Sequence, residues 1–246
     1  MQFIHPTLVA PPDEVKIWRY ISIEKLRLLL TDKALYFRRA DLFDDTLEGI
    51  LPGGTVKAIK DELPAGIAQI LTGVHNANRG YMFVSCWHGN SSESAAMWDL
   101  YANRQAGIAI ETTVGNLRTA ITAKETFILS KVEYVEHANH ANGDGDVYKS
   151  MFIKNKPYSH EQEVRLVHCS GGPPSGLFSF PIPTDPRAGI NLSINVQTLI
   201  NKIHLAPKSD SDFEAAVRNL LSEHSITADI NRSKLYDSVN QFGPYG

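Results

Sequence analysis

Cysteine is nearly absent: the chain of 246 residues carries two, Cys86 and Cys169. Each sits in a strand-like apolar run, so the pair reads as small buried hydrophobes rather than a disulfide framework, and a two-cysteine metal site has no second pair to complete it. No window reaches the roughly 18 consecutive apolar residues that a membrane helix needs. The opening MQFIHPTLVAPPDEV has neither a basic start nor a long hydrophobic stretch, so a soluble, cytoplasmic protein with no membrane partner is expected. Positive charge is not in excess either. A formal net charge of −3 supplies no chain-wide basic field for nucleic acid, although a local groove of Arg19, Arg38, Arg39 and Lys154 remains open. Nothing resembles a P-loop, a GxSxG elbow or an HExxH helix, and there is no internal repeat.

What is present is an ordinary apolar content, 43% of residues, enough for a full core and a single domain over residues 1–246. KIWRY has the bulky content of a strand, Ser22 is placed to cap EKLRLLLTDK, and ALYFR forms a second short strand. Thr55 to Thr72 is weakly helical with a break at Pro64. After the strand YMFVSCW, Ser91 or Ser92 caps a helix over Glu93 to Arg104, with an apolar stripe of Ala96, Met97, Leu100 and Tyr101. GIAIE, KVEYV and EVRLVHC are strands. HANHANGDGD is a polar loop, and Gly171 to Gly189 wraps the surface as a linker. KIHLA, a capping box Ser211-Asp-Phe-Glu214 ahead of AAVRNLLSEH, and ITADI predict a C-terminal strand, helix and strand.

Three stretches carry chemistry together. In HEQEVRLV, positions two apart share a strand face, so Glu161 and Glu163 point together, and like charges at that spacing call for a cation, a ligand or a proton. The same spacing at a strand edge is also an ordinary solvated feature. Arg19 lies between two aromatics in a strand that should be largely buried, where an internal ion pair with Asp44, Asp45 or Glu48 is the alternative to ligand binding. Ser85, between Val84 and Cys86, is either a satisfied core hydroxyl or a member of the site.

A strand with a central Arg, a strand ending in aromatic-apolar-Ser followed by a small-residue helix, and a later E-x-E running into an apolar strand resemble the Arg-Ser-Glu arrangement of the ADP-ribosyltransferase fold. FVSCW, SAAMWDLY, GIAIE and EQEVRLV are the matching segments, from about Lys16 to His168. Ser-Cys-Trp stands where many members carry Ser-Thr-Ser, and no glycine-rich nicotinamide loop is placed. IWRY, LYFRRADLFDDTLEG, FVSCWHGNSSESAAMWDLYANRQAGIAIE, EQEVR and IHLAP are similar to the bacterial domain of unknown function 2971 family, a name that carries no activity. The implied fold is α+β: a split mixed β-sheet core with flanking helices over about 16–170, and an appended strand–helix–strand element over about 190–240.

The resemblance implies NAD-dependent mono-ADP-ribosyl transfer, NAD being a substrate and no metal being required. Glu163 would stabilise positive charge on the ribose, Glu161 would position or deprotonate the acceptor, and Ser85 would orient Glu163 or the ribose. Arg19 would hold the pyrophosphate beside Tyr20, with Trp98 or Tyr101 as a stacking wall, although a Met/Trp/Tyr stripe at helical spacing is also plain core. Tyr158 and His160 would contact the target, a protein or a nucleic acid. The implied setting is an intracellular toxin or defence effector, with a neutralising partner protein as a possible companion. Alternatives are an NAD glycohydrolase, a non-catalytic nucleotide- or RNA-binding module, and a metal-dependent nuclease using Asp44, Asp45, Glu48 and Glu163. A metal gathered by His137, His140, Asp144 and Asp146 is set against an ordinary loop.

Overall fold

The computed structural model describes residues 5, 7–142, 146–170 and 185–235. Asp144 and most of the expected Gly171 to Gly189 linker lie outside the described residues. The protein is mixed α+β, with parallel and antiparallel strand pairs both present. Among the described residues no helix is long and apolar enough to cross a membrane.

In chain order come β1 (Lys16–Ser22), α1 (Ile23–Asp32), β2 (Ala34–Arg39), α2 (Gly53–Glu62), α3 (Ala65–Ala77), β3 (Met82–His88), α4 (Ala95–Tyr101), β4 (Gly107–Thr113) and α5 (Val114–Ala120). Then follow β5 (Phe127–Lys131), β6 (Glu133–Val135), α6 (Val147–Ser150), β7 (Ile153–Asn155) and β8 (Glu163–Cys169). Last are β9 (Gly189–Ser193), α7 (Val196–Leu199), β10 (Lys202–Leu205), α8 (Ser211–Glu223) and β11 (Asp229–Arg232). These elements form two compact units, each assembled from three segments. The first takes Met1–Pro11, Tyr36–Cys86 and Lys124–Asn191; the second takes Pro12–Leu35, Trp87–Ala123 and Leu192–Gly246.

In the first unit β8 runs between β3 and β5, antiparallel to β5 from Phe127 opposite His168 to Lys131 opposite Val164. Glu163 through Val167 are all buried, as a strand covered on both faces requires. KVEYV is not one strand. The Val132 N–H donates to the Glu163 carbonyl at 2.9 Å, whereas the next N–H, of Glu133, donates to the Phe152 carbonyl at 2.8 Å. The chain changes partner there, and β6 pairs with β7 in parallel. Helices α2 and α3 separate at Leu63-Pro64, where the break was expected. The polar loop is docked rather than free: the Gly53 N–H donates to the His137 carbonyl at 2.8 Å. A Cβ on Gly53 would lie 2.2 Å from the Ala138 carbonyl oxygen, so only glycine allows that approach.

In the second unit β1 pairs antiparallel with β4 along its whole length, from Lys16 opposite Thr113 to Ser22 opposite Gly107. β10 lies on the other edge of β4, and β11 runs parallel to β10, α8 supplying the crossover that a parallel pair needs. The Ser22 hydroxyl accepts from the Lys25 N–H, and Leu26, Leu29 and Leu30 are the buried face of α1. Helix α8 starts one residue before the expected capping box. Asp210, a charged acceptor at the positive end of the helix, takes the Phe213 N–H at 2.8 Å, and Glu214 pairs with Arg218 instead. Helix α4 is also shorter than expected. Ser94, not Ser91 or Ser92, caps it, and with only two turns it buries Met97 and Trp98 while Leu100 and Tyr101 are exposed. The strand expected over ITADI is displaced to Asp229–Arg232.

Candidate active site

Five charged side chains meet in the interior of the first unit. Glu48 comes from the connection after β2, Lys154 from β7, Glu161 from the end of the 3-10 turn Lys156–Glu161, and Glu163 and Arg165 from β8. Each is less than a tenth exposed. Lys154 Nζ lies 2.6 Å from Glu161 Oε2, 2.7 Å from Glu163 Oε1 and 3.6 Å from Glu48 Oε2. Arg165 Nε donates to Glu163 Oε2 at 2.8 Å, and its Nη2 reaches Glu163 Oε1 at 3.0 Å and Glu48 Oε1. Its Nη1 donates to the Met151 carbonyl at 2.6 Å. The cluster thus holds three carboxylates against two cations.

Glu161 and Glu163 do come together, but not by strand alternation. Glu161 closes the 3-10 turn, Gln162 sits in the left-handed region with φ 42, and Glu163 begins β8. This kink folds the two carboxyls towards the same ammonium. Tyr134 fixes the entry, its hydroxyl accepting from the Glu163 N–H at 2.8 Å.

The surroundings divide the two acids. Burial pushes the Glu163 carboxyl up, yet the Arg165 guanidinium and then Lys154 outweigh it and hold Glu163 ionised well below the usual range. Glu161 is raised by burial and by its hydrogen bond to Glu163, with Lys154 only partly offsetting them. Burial alone would lower Lys154, but Glu163 and Glu48 keep it charged. Cys86 on β3 hydrogen-bonds Glu163, and burial followed by that charge raises its thiol.

That thiol bears on Ser85. Neighbours on a strand point to opposite faces, so the fully buried Ser85 projects away from the face on which Cys86 meets Glu163. The structure therefore brings Glu161 and Glu163 together, with the Cys86 thiol beside Glu163. Tyr158 is half-buried, with its ring 4.8 Å from Lys154 Nζ, and His160 is exposed beside the Pro157 carbonyl.

The remaining expected residues belong to the second unit. Arg19 is half-buried, its guanidinium 5.4 Å from the Trp87 ring centroid. Tyr20 and Trp98 pack edge to face, 5.0 Å apart, in an apolar core with Trp18, Met97, Ala109 and Ala206. Trp98 Nε1 donates to Glu93, and the Tyr20 hydroxyl accepts from the Ser94 N–H. Both rings are core side chains, whereas Tyr101 is exposed.

Several expected partners change. Lys154 does not line a basic groove; it faces three carboxylates. Arg38 donates to the Leu42 carbonyl and Arg39 pairs with Asp41. Glu48 and Glu163, offered as nuclease ligands, share Arg165, so a fixed cation occupies the place between them. Among the described residues no group of three or more His, Cys, Asp or Glu is arranged to hold a metal ion. Sequence reasoning did not place Lys154 or Arg165 beside the acidic pair, and it set Glu48 beside Glu163 only as a nuclease ligand. One signal was available: Arg165, two residues after Glu163 in EVR, shares its strand face.

A family model described as a protein of unknown function, DUF2971, matches residues 97–166, a span that includes Lys154, Glu161, Glu163 and Arg165. No curated protein sequence matches the chain. Among solved structures, DarT of Thermus sp. 2.9 in complex with ADP-ribosylated ssDNA is 10% identical with a TM-score of 0.42, over 93% of this chain and 98% of that one. DarT of the same source in complex with NAD+ is 10% identical with a TM-score of 0.40, over 92% and 98%.

Proposed function

We propose that the protein cleaves NAD between nicotinamide and ribose and transfers ADP-ribose to a macromolecular acceptor, with Glu163 and Glu161 as the reacting carboxylates. The observation that carries this reading is the buried acidic pair, held rigid by Lys154 and Arg165 in a cluster that Glu48 leaves one positive charge short of balance. When the C1′–N bond breaks, its electron pair leaves with nicotinamide and positive charge develops on the sugar. A fixed, ionised Glu163 in a dry setting stabilises that charge without reorganising. The acceptor, a protein side chain or a nucleic-acid base, attacks C1′, and Glu161 in its ionised form takes the proton it gives up. Tyr158 and His160, on the turn ahead of Glu161, are the proposed target contacts. The setting that goes with this chemistry is an intracellular toxin or defence effector, countered by a neutralising partner.

A second reading has its own support. Both Glu163 oxygens already accept hydrogen bonds from Arg165 and Lys154, as they would in an ion cluster whose role is structural. Incubating the protein and its Glu163→Gln variant with labelled NAD in a lysate containing protein and RNA separates these. Label transferred by the wild type and lost in the variant supports the transferase and identifies the acceptor class. Free nicotinamide without transfer indicates hydrolysis. Intact NAD, with a variant altered only in melting temperature, leaves the structural reading.

A further inference from the structure

The cluster poses a question of charge that the ion pairs leave open. Three carboxylates and two cations are enclosed together, and a buried net charge is costly unless something neutralises it. Around Glu161 stand Lys154 from β7, Glu163 and Arg165 from β8, Glu48 from the connection after β2, and Cys86 of β3, together with Tyr134 of β6 and Tyr158 of its own turn. Arg165 and Lys154 are committed to Glu163, and both cations also serve Glu48. The ammonium that Glu161 meets, that of Lys154, is shared with two other acids, and Glu161 sits against Glu163. It is the position at which a proton costs least.

Resting on the NAD reading above, we infer that this site exchanges one proton for the one positive charge on its ligand's ring: at rest Glu161 is protonated and donates to Glu163, and the cationic ring of an oxidised nicotinamide nucleotide expels that proton to solvent. The raised protonation range of Glu161 agrees with the resting half. The ligand class follows from charge. An oxidised nicotinamide ring carries the missing positive charge and its dihydro form does not, so the site selects between redox states without touching the ring's reactive carbon. The exchange also leaves Glu161 ionised in the complex, the form in which it takes a proton from an acceptor.

The experiment has two arms on the full chain. Glutamate carboxyl carbons are labelled with 13C and titrated by NMR across roughly pH 5–8, the range in which most proteins are stable. Glu161 is assigned by the resonance that Glu161→Gln removes. The expected result is a protonated resonance at neutral pH that is absent from the variant; a Glu161 signal ionised throughout overturns the inference, whatever NAD does. In the second arm, calorimetry with NAD+ and NADH uses buffers of different ionisation enthalpy. Binding of NAD+ is expected to release up to one proton and to weaken up to tenfold per pH unit on the acid side, while NADH shows neither trend. In Glu161→Gln, NAD+ binding becomes independent of pH and releases none. Binding of NAD+ without proton release overturns the exchange while leaving the NAD reading standing. Failure to bind NAD+ at all sinks both the NAD reading and the ligand half of the inference, and the NMR arm alone then decides the resting proton.

Discussion

Replacing Arg165 by methionine tests whether the cluster is a balanced unit. The guanidinium is 1% exposed and serves four oxygens: two on Glu163, one on Glu48 and the Met151 carbonyl. Methionine fills similar volume but returns none of those bonds. Removing one partner of a buried pair costs about 3–5 kcal/mol, because the abandoned charges stay in the interior. In a chain of this size about 1 kcal/mol corresponds to 2–4 °C, so circular dichroism should show the melting temperature falling by roughly 6–20 °C at pH 7. The pH dependence has a definite sign. In the wild type, Glu163 is depressed, so its stabilisation is present above the unfolded carboxylate range and is lost as pH falls through its lower folded value. In the variant the same carboxyl lacks its main cation and protonates earlier, which relieves the penalty. The gap should therefore narrow on going from pH 7 to about pH 4. A drop no larger than that of a surface substitution, about 0.5 kcal/mol, or a gap that ignores pH, would refute the account.

Other outcomes follow from the same geometry. Glu163→Gln should lower NAD turnover by roughly 10²–10³ while NAD binding is retained, as for loss of one preorganised electrostatic group, measured by nicotinamide release. Trp98→Ala should cost about 3–5 kcal/mol in chemical denaturation, the cost of emptying a core position. Burial lowers His75 to about 4, with Ser150 3.0 Å from its Nε2, so the unfolded chain takes up a proton that the native state refuses. Stability should fall by roughly 3 kcal/mol as pH drops from about 6.5 to 4, and His75→Gln should flatten that slope in urea titrations.

Much of the fold was legible because it is written in local periodicity and caps. Leu26, Leu29 and Leu30 announce α1, Pro64 divides α2 from α3, and the final strand, helix and strand occur in the predicted order. The misses have local causes too. Asp210 outcompetes Ser211 as a cap, and Val132 is the residue at which one strand hands its hydrogen bonds to another partner. The site was harder to read. The pairing of Glu161 with Glu163 was foreseen on an argument of alternation, but a left-handed Gln162 produces it. Glu48 reaches the acids only through long-range packing, which no spacing in the chain records, whereas Lys154 meets them across the 3-10 turn Lys156–Glu161.

The interleaving of the two units has a consequence for synthesis. The first unit cannot close until the segment ending at Asn191 is available, and the second waits for the strands and helix after Leu192. A growing chain therefore carries β1 through β4, ending at Thr113, until Asn191 has emerged with neither unit complete. Such late, long-range closure is the slow and aggregation-exposed route to a fold. The cluster shares this delay: Glu48 emerges about a hundred residues before the lysine and arginine that neutralise it, so the ionic centre assembles in one late step rather than accumulating as the chain lengthens.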